Sequence, residues 1–195
     1  MAQRVELTNV RTVVLDIEGT TSAISFVYDV LFPYARRRLA AFLDEHWETA
    51  AVVSAREQIA RDAGAPMADD RATLVAHVLA LMDRDAKLTG LKQLQGLTWE
   101  RGYAAGELRS HFFDDVPRAI ERWRAAGIEV AVYSSGSSAA QRAFFAHSAH
   151  GDLSRELRGF FDTTVGAKRE RASYERISQL LERVTGELAF LSDVV

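Results

Sequence analysis

Four places along this chain carry side chains suited to chemistry on an anion. Asp16 and Glu18 stand two residues apart in Leu15-Asp16-Ile17-Glu18-Gly19-Thr20-Thr21. Two acids so spaced after a buried strand can reach one space when the loop curls. One can serve as nucleophile or metal ligand while the other hands a proton to a leaving group. Ser134-Ser135-Gly136-Ser137 offers hydroxyls and helix N-terminal amides to an anion. Lys168 brings a point charge that can neutralise a phosphate or a carboxylate nucleophile, and Asp193 is a further acid close to the end of the sequence.

Each feature alone has a plainer reading. Asp16 could cap a loop, the serines could form an ordinary turn, Lys168 beside Arg169 and Arg171 could be surface charge, and Asp193 an ordinary strand-end acid. Their order is more informative: an acid pair, a hydroxyl loop, a lysine, then an acid. That order asks for phosphoryl transfer through an aspartyl-phosphate, with Asp16 attacking phosphorus, Mg²⁺ bridging carboxylates and phosphate, and Lys168 with the serine loop balancing charge. A few carboxylates around a hard divalent cation suit Mg²⁺ better than a zinc-type site.

The elements that must position these groups are legible around them. Val10 to Leu15, Ile128 to Tyr133, Phe160 to Val165 and Leu188 to Leu191 are short apolar, β-branched or aromatic runs that read as buried strands. Asp16, Ser134 and Asp193 follow such strands, and Lys168 follows the short one. Between them lie helical patterns. Pro117 suits the start of a helix over Arg118 to Ala126 that ends at Gly127. Ser138 with Gln141 has capping-box spacing for a helix over Ala139 to Ala149. Tyr174, Ile177, Leu180, Leu181 and Val184 form one stripe of a helix over Ala172 to Val184. Strands alternating with helices imply βαβ units and a parallel sheet, and such sheets bind ligands at the carboxyl ends of their strands. From Val27 to about His111 the pattern is helical throughout. Leu31, Tyr34, Ala35, Leu39 and Phe42 form one stripe and Leu74, Val75, Val78, Leu79 and Met82 another, with breaks at Asp62 to Pro66 and near Thr89-Gly90. The fold class expected is α/β, a Rossmann-like parallel sheet with an inserted all-helical segment. The α/β core takes residues 1–25 and 112–195, and the insert takes residues 26–111.

Composition limits the alternatives. The chain has 195 residues, with 24 Lys+Arg against 27 Asp+Glu and a formal net charge of −3. This mild acidity gives no pull toward nucleic acid or an anionic membrane. The absence of cysteine excludes disulfides, thiolate zinc sites, iron–sulfur clusters and a cysteine nucleophile. No stretch approaches the ~20 apolar residues of a membrane span, nor is there a signal-peptide core. A soluble, cytoplasmic protein that works as a monomer on a small molecule is expected.

The motifs in this order resemble the haloacid dehalogenase superfamily of phosphatases, and more closely its enolase-phosphatase (acireductone synthase) family of methionine salvage. The likeness rests on Leu15 through Val27, Asp29 through Ala35, Leu94-Gln95-Gly96, Tyr133 through Ser137, Phe161-Asp162-Thr163, Lys168, Ser173-Tyr174 and Leu191-Ser192-Asp193. It covers essentially the whole chain. The resemblance implies Asp16 as nucleophile and Mg²⁺ ligand, and Glu18 as general acid/base that lends its backbone carbonyl to the metal. It further implies Ser134 and Ser135 as phosphate holders, Lys168 as charge balance and substrate contact, and Asp193 as completing the metal site. The implied substrate is the phosphorylated diketone 2,3-diketo-5-methylthiopentyl 1-phosphate, enolised and then dephosphorylated to the acireductone. Glu18 is the expected enolisation base. The helical insert is where the family carries its cap, with Lys92, Gln95, Gly96 and Trp99 as candidate lid residues. The family continues beyond the acid at Asp193 with further helix and strand, whereas this chain ends at Val195. The sheet is therefore expected to lack its last unit, with the carboxylate of Val195 near the metal.

A generic small-metabolite phosphatase and an inactive phosphate-binding relic are the competing readings. A dehalogenase has no need of Glu18 or Mg²⁺. His147 and His150, three apart, have no third ligand in view, Arg36-Arg37-Arg38 reads as a solvated helix face, and the pairs Phe112-Phe113, Phe144-Phe145 and Phe160-Phe161 read as packing.

Overall fold

A computed structural model describes residues 8–193, so Val195 lies outside the described residues. The chain divides into two compact units, one made of residues up to Ile24 together with Arg109 onward, the other of Ser25–Leu108.

The first unit is built on β1 (Thr12–Leu15), β2 (Glu129–Tyr133), β3 (Gly159–Phe161) and β4 (Leu188–Leu191). They form one parallel sheet in the order β3-β2-β1-β4. Every residue of β1 is buried, as are the last four of β2, which is why both read as continuous apolar runs instead of alternating ones. Register sets the site: Leu15 pairs with Val132 and with Leu191, and Tyr133 pairs with Phe161. The residues immediately past β1 and β4, Asp16 and Ser192, are therefore level with each other.

Helices flank the sheet. On one face Val14, Ala131 and Tyr133 pack against Ile177 and Leu181, at the C-terminal end of α8 (Arg171–Leu180). Elsewhere α6 (Asp115–Ala125) packs on β2 and α7 (Ser138–Ala146) on β3. Phe112, Phe144, Phe145 and Phe160 form a chain of ring contacts with centroids 4.9 to 6.0 Å apart, so these four rings are packing groups, whereas Phe113 is exposed with its ring edge-on to His111.

Local differences from the sequence reading have local causes. α6 begins at Asp115, two residues before Pro117, because the first turn of a helix leaves its N–H groups unpaired and tolerates proline there. α7 is capped by Ser137, whose Oγ accepts from Ala140 N, so Ser138 is already helical and Gln141 is released from any capping box. β3 stops at Phe161, since Asp162 turns the chain by accepting from the amide and hydroxyl of Thr164, and Thr163–Val165 is a 3₁₀ turn. α8 ends at Leu180, and Glu182 just beyond it adopts φ 57°; Leu180 lies on the exposed side of the helix, and Val184, past its end, is exposed as well.

The second unit is helical: α1 (Ile24–Phe26) leads through a π turn (Val27–Leu31) into α2 (Phe32–His46), followed by α3 (Ala50–Ala63), α4 (Arg71–Asp83) and α5 (Thr89–Ala104). Leu39, Leu43, Ile59, Leu74, Val78, Leu91 and Leu94 fill its core, matching the two stripes read from the sequence. Gln95 is buried, and Trp99 stacks on Phe32 while its indole donates to Leu31 O at 2.8 Å. No helix among the described residues is long and apolar enough to cross a membrane.

Candidate active site

Asp16 is the centre of the strand-end cluster. It lies where β1 stops, 2% exposed, and its carboxylate is held by three donors. Ile17 N donates to Oδ1 at 2.7 Å, Lys168 Nζ forms an ion pair with the same oxygen, and Ser192 Oγ donates to Oδ2 at 3.0 Å. Charge-assisted bonds of this kind are roughly twice as strong as neutral ones, so a buried carboxylate is kept in a single orientation. β4 delivers Ser192 because its register with β1 puts Leu191 O within 2.9 Å of Asp16 N.

The loop after Asp16 closes on one atom. Ile17 O accepts from the amides of Thr20, Thr21 and Ser22 at 3.2, 2.9 and 3.0 Å, and from Thr21 Oγ1 at 3.3 Å. Gly19 takes φ +79°, a conformation that a Cβ penalises. Curled in this way, the loop carries Glu18 to β2, where Ser134 Oγ donates to Glu18 Oε2 at 3.0 Å. Ser134 itself is 1% exposed, and its amide donates to Phe161 O at 3.2 Å. Ser135, the next residue, is exposed. On the far side, Asp193 N donates to Thr20 Oγ1 at 2.9 Å, and the Asp193 carboxylate occupies the space that a side chain at Gly19 would fill.

Asp16 and Lys168 are thus in contact, as are Glu18 and Ser134, while Asp193 packs on the turn that bears Glu18. No group of three or more His, Cys, Asp or Glu side chains able to hold a metal occurs among the described residues. The donors expected here are two carboxylates, Asp16 and Asp193, with the Glu18 main-chain carbonyl. The close seat of the Asp193 carboxylate against Gly19 is the feature that fits such a set. Oxygen-only donors suit a hard divalent cation. His147 turns its Nδ1 to Ala143 O at 2.9 Å, as a packed helix-end histidine does.

Three supporting residues carry no site role in the sequence reading. Ser192 was hidden behind its neighbour Asp193, although the residue directly after β4 is the one level with Asp16. Gln141 lies on the inner face of α7, 2% exposed, and its Nε2 donates to Gly136 O at 2.7 Å and Phe161 O at 2.8 Å, with Ser134 O at 3.4 Å. A buried amide on an otherwise apolar helix face is the signal that could have found it. Asp162 joins the end of β3 to the start of α7, accepting from Ser138 N at 3.0 Å. Partial burial pushes its carboxyl up, but the hydrogen bonds from Thr164 and Ser138 outweigh this and hold it below the ordinary carboxylate value.

Comparison with known proteins agrees with this geometry. The family model for haloacid dehalogenase-like hydrolases matches residues 10–195. Enolase-phosphatase E1 of Drosophila simulans is 46% identical over 194 residues, covering 94% of this chain and 76% of that protein. The Klebsiella pneumoniae enolase-phosphatase E1 is also 46% identical, over 185 residues, covering 95% and 80%. Among solved structures, the UTR4 protein of Saccharomyces cerevisiae superposes with a TM-score of 0.75 at 33% identity, over 94% of this chain and 81% of that one. A dehalogenase superposes with a TM-score of 0.51 at 19% identity, over 96% and 78%, a likeness of fold alone. A family model matching residues 10–195, together with 46% identity to enolase-phosphatase E1 over more than nine-tenths of the chain, places the chain in the enolase-phosphatase family of haloacid dehalogenase-like hydrolases.

Proposed function

We propose that the protein converts 2,3-diketo-5-methylthiopentyl 1-phosphate to the acireductone of methionine salvage by enolisation followed by dephosphorylation. The observation that carries this reading is the Asp16 carboxylate, buried and held by Lys168, Ser192 and its own loop, with Glu18 two residues on and bonded to Ser134.

In the phosphatase half, an Asp16 oxygen attacks phosphorus and the bond from phosphorus to the substrate oxygen breaks. Glu18 gives a proton to that leaving oxygen. Glu18 then takes a proton from water, which attacks the aspartyl-phosphate, releasing inorganic phosphate and restoring Asp16. Lys168 balances the charge that gathers on the transferring group, and Ser134 and Ser135 donate to its oxygens. In the enolase half a base removes the proton beside the carbonyl, and Glu18 is the group we assign. Asp16, Asp193 and the Glu18 carbonyl would hold Mg²⁺, which when bound polarises phosphoryl and carbonyl oxygens. Residues 26–111 would serve as a cap that excludes water; of its candidate lid residues Lys92 is exposed, while Gln95 and Gly96 are buried. We place the protein in the cytoplasm, acting as a monomer without nucleic acid or membrane.

The test is ³¹P and ¹H NMR of the diketo phosphate, or its desthio analogue, with the protein and Mg²⁺, against EDTA and Asp16→Asn controls. Proton exchange beside the carbonyl with phosphate release is the expected result. Phosphate release must vanish in Asp16→Asn. Turnover of simple phosphate esters without turnover of this substrate would reduce the protein to a generic phosphatase, and undiminished release by Asp16→Asn would remove the aspartyl-phosphate.

A further inference from the structure

Three consecutive main-chain carbonyls in the loop that carries Lys168 are each captured by a different side-chain hydroxyl. Tyr133 Oη donates to Gly166 O at 2.8 Å, Ser173 Oγ to Ala167 O at 2.8 Å, and Tyr174 Oη to Lys168 O at 2.6 Å. The donors stand on regular elements. Tyr133 is the last residue of β2 and 0% exposed, while Ser173, 1% exposed, and Tyr174 belong to the first turn of α8. The two phenol rings meet edge-on at 5.8 Å, and both rest on Phe190 of β4, at 6.0 and 5.3 Å. Gly166, at φ +131°, lies so close to Ser173 that a Cβ there would overlap its hydroxyl. Burial pushes both phenols up, so both remain donors over any working pH.

A loop at the surface, where Ala167 is exposed, could leave its carbonyls to water. Fixing three in a row instead removes the freedom of the backbone from which Lys168 extends. A lysine stem carries rotamer entropy of its own, and a mobile root would add to what must be ordered before the ammonium meets Asp16.

We propose that Tyr133, Ser173 and Tyr174 are positioning residues for the reaction: a hydroxyl clamp that fixes the Gly166–Lys168 backbone so that the Lys168 ammonium is held on the Asp16 carboxylate. The clamp rests on the charge-balancing role proposed above for Lys168. It has no contact with substrate to make; its effect runs through the lysine alone.

The test compares Tyr133→Phe, Ser173→Ala and Tyr174→Phe, each of which keeps its packing and loses its hydroxyl, with Ser173→Thr as the conservative variant and Lys168→Met as the reference. Turnover of p-nitrophenyl phosphate with Mg²⁺ is measured beside the acetylation rate of Lys168, read by peptide mass spectrometry on the folded chain. A lost hydrogen bond of about 1 to 1.4 kcal/mol corresponds to roughly five- to tenfold in rate. We expect a fall of that size in kcat for each hydroxyl-deleted variant, faster acetylation of Lys168 by a similar factor, and Ser173→Thr close to the parent on both counts. Turnover and acetylation within twofold of the parent in all three variants would overturn the clamp. A fall in turnover with unchanged acetylation would overturn it too, since the loss would then be structural. Lys168→Met with full turnover would instead overturn the role of the lysine, separating that failure from failure of the clamp. If Tyr133→Phe fails to fold, the two α8 variants decide.

Discussion

Replacing Gln141 by leucine tests whether the serine loop is held from within the fold. The amide nitrogen of Gln141 makes two good bonds, to Gly136 O at 2.7 Å and Phe161 O at 2.8 Å, and its Oε1 is buried without a partner. Losing two neutral hydrogen bonds costs about 2 kcal/mol. Phe161 O keeps its bond from Ser134 N, but the Gly136 carbonyl loses its side-chain donor, which adds about 1 kcal/mol. Leucine has nearly the same volume, buries more apolar surface and removes the unpaired Oε1, returning about 1 kcal/mol. The balance is a destabilisation of about 2 kcal/mol, or roughly 4–8 °C in Tm for a chain of this size. Phosphatase turnover should fall further than stability does, because Ser134 and Gly136 both belong to the serine loop. Gln141→Glu should be worse than leucine at pH 7, with a carboxylate forced against carbonyl oxygens, and its deficit should shrink on acidification toward about pH 4 as the introduced acid takes up a proton. Differential scanning fluorimetry and steady-state turnover across pH 4 to 8 measure all three effects. A leucine variant with the parent's Tm and turnover would refute the reasoning, as would a glutamate variant no worse than leucine.

Two other perturbations probe the neighbouring turns. Gly19→Ala puts a Cβ into the Asp193 carboxylate at a left-handed φ; about 1–2 kcal/mol of backbone strain should appear in the urea midpoint. On the metal-site reading proposed above, half-saturation by Mg²⁺ in the turnover assay should also rise at least tenfold; an unchanged Mg²⁺ requirement would detach Asp193 from the metal site. Asp162 is held below its ordinary value of 3.8, so its ionised form favours the fold above that pH and the contribution is lost as pH falls through the lower, folded-state value. Asp162→Asn should therefore lower the urea midpoint at pH 7 and close the gap with the parent below about pH 4, and a gap that stays constant with pH would contradict the assignment.

The strand ends were legible because β1, β2 and β4 are short apolar runs that each stop at a polar residue, so the rule that parallel sheets work at their carboxyl ends pointed directly at Asp16, Ser134 and Asp193. The helical stripes of α2 and α4 were legible for the same reason, periodicity. What stayed hidden depends on register. That Ser192, and not only Asp193, reaches Asp16 follows from Leu15 pairing with Leu191 across 176 positions of sequence, which no local pattern encodes. The sequence overstates β3 because Phe160 to Val165 stays mostly apolar or β-branched while Asp162, acting through Thr164, turns the chain. The apolar period running on to Val184 overstates α8, because Leu180, its last residue, lies on the exposed side and the chain turns at Glu182 before Val184.

Four side-chain donors whose partners no local pattern reveals share a chemical character, and it bears on how the loops are aimed. Gln141, Tyr133, Ser173 and Tyr174 all donate to main-chain carbonyls of the loops after β2 and β3. In a planar trans peptide the carbonyl of one residue and the N–H of the next point in opposite directions. Drawing the carbonyl of Gly136 toward Gln141 therefore turns the amide of Ser137 the other way, and drawing in those of Gly166 and Ala167 does the same for the amides of Ala167 and Lys168. A single set of inner hydrogen bonds thus holds the backbone and sets the direction of its outer donors, without any charged group having to be buried. On the phosphate-site reading proposed above, loops held in this manner lose their aim before the fold is lost: deleting an inner donor should weaken inhibition by inorganic phosphate more than it lowers the unfolding midpoint, and variants such as Gln141→Leu and Tyr174→Phe should show that imbalance, each in its own loop.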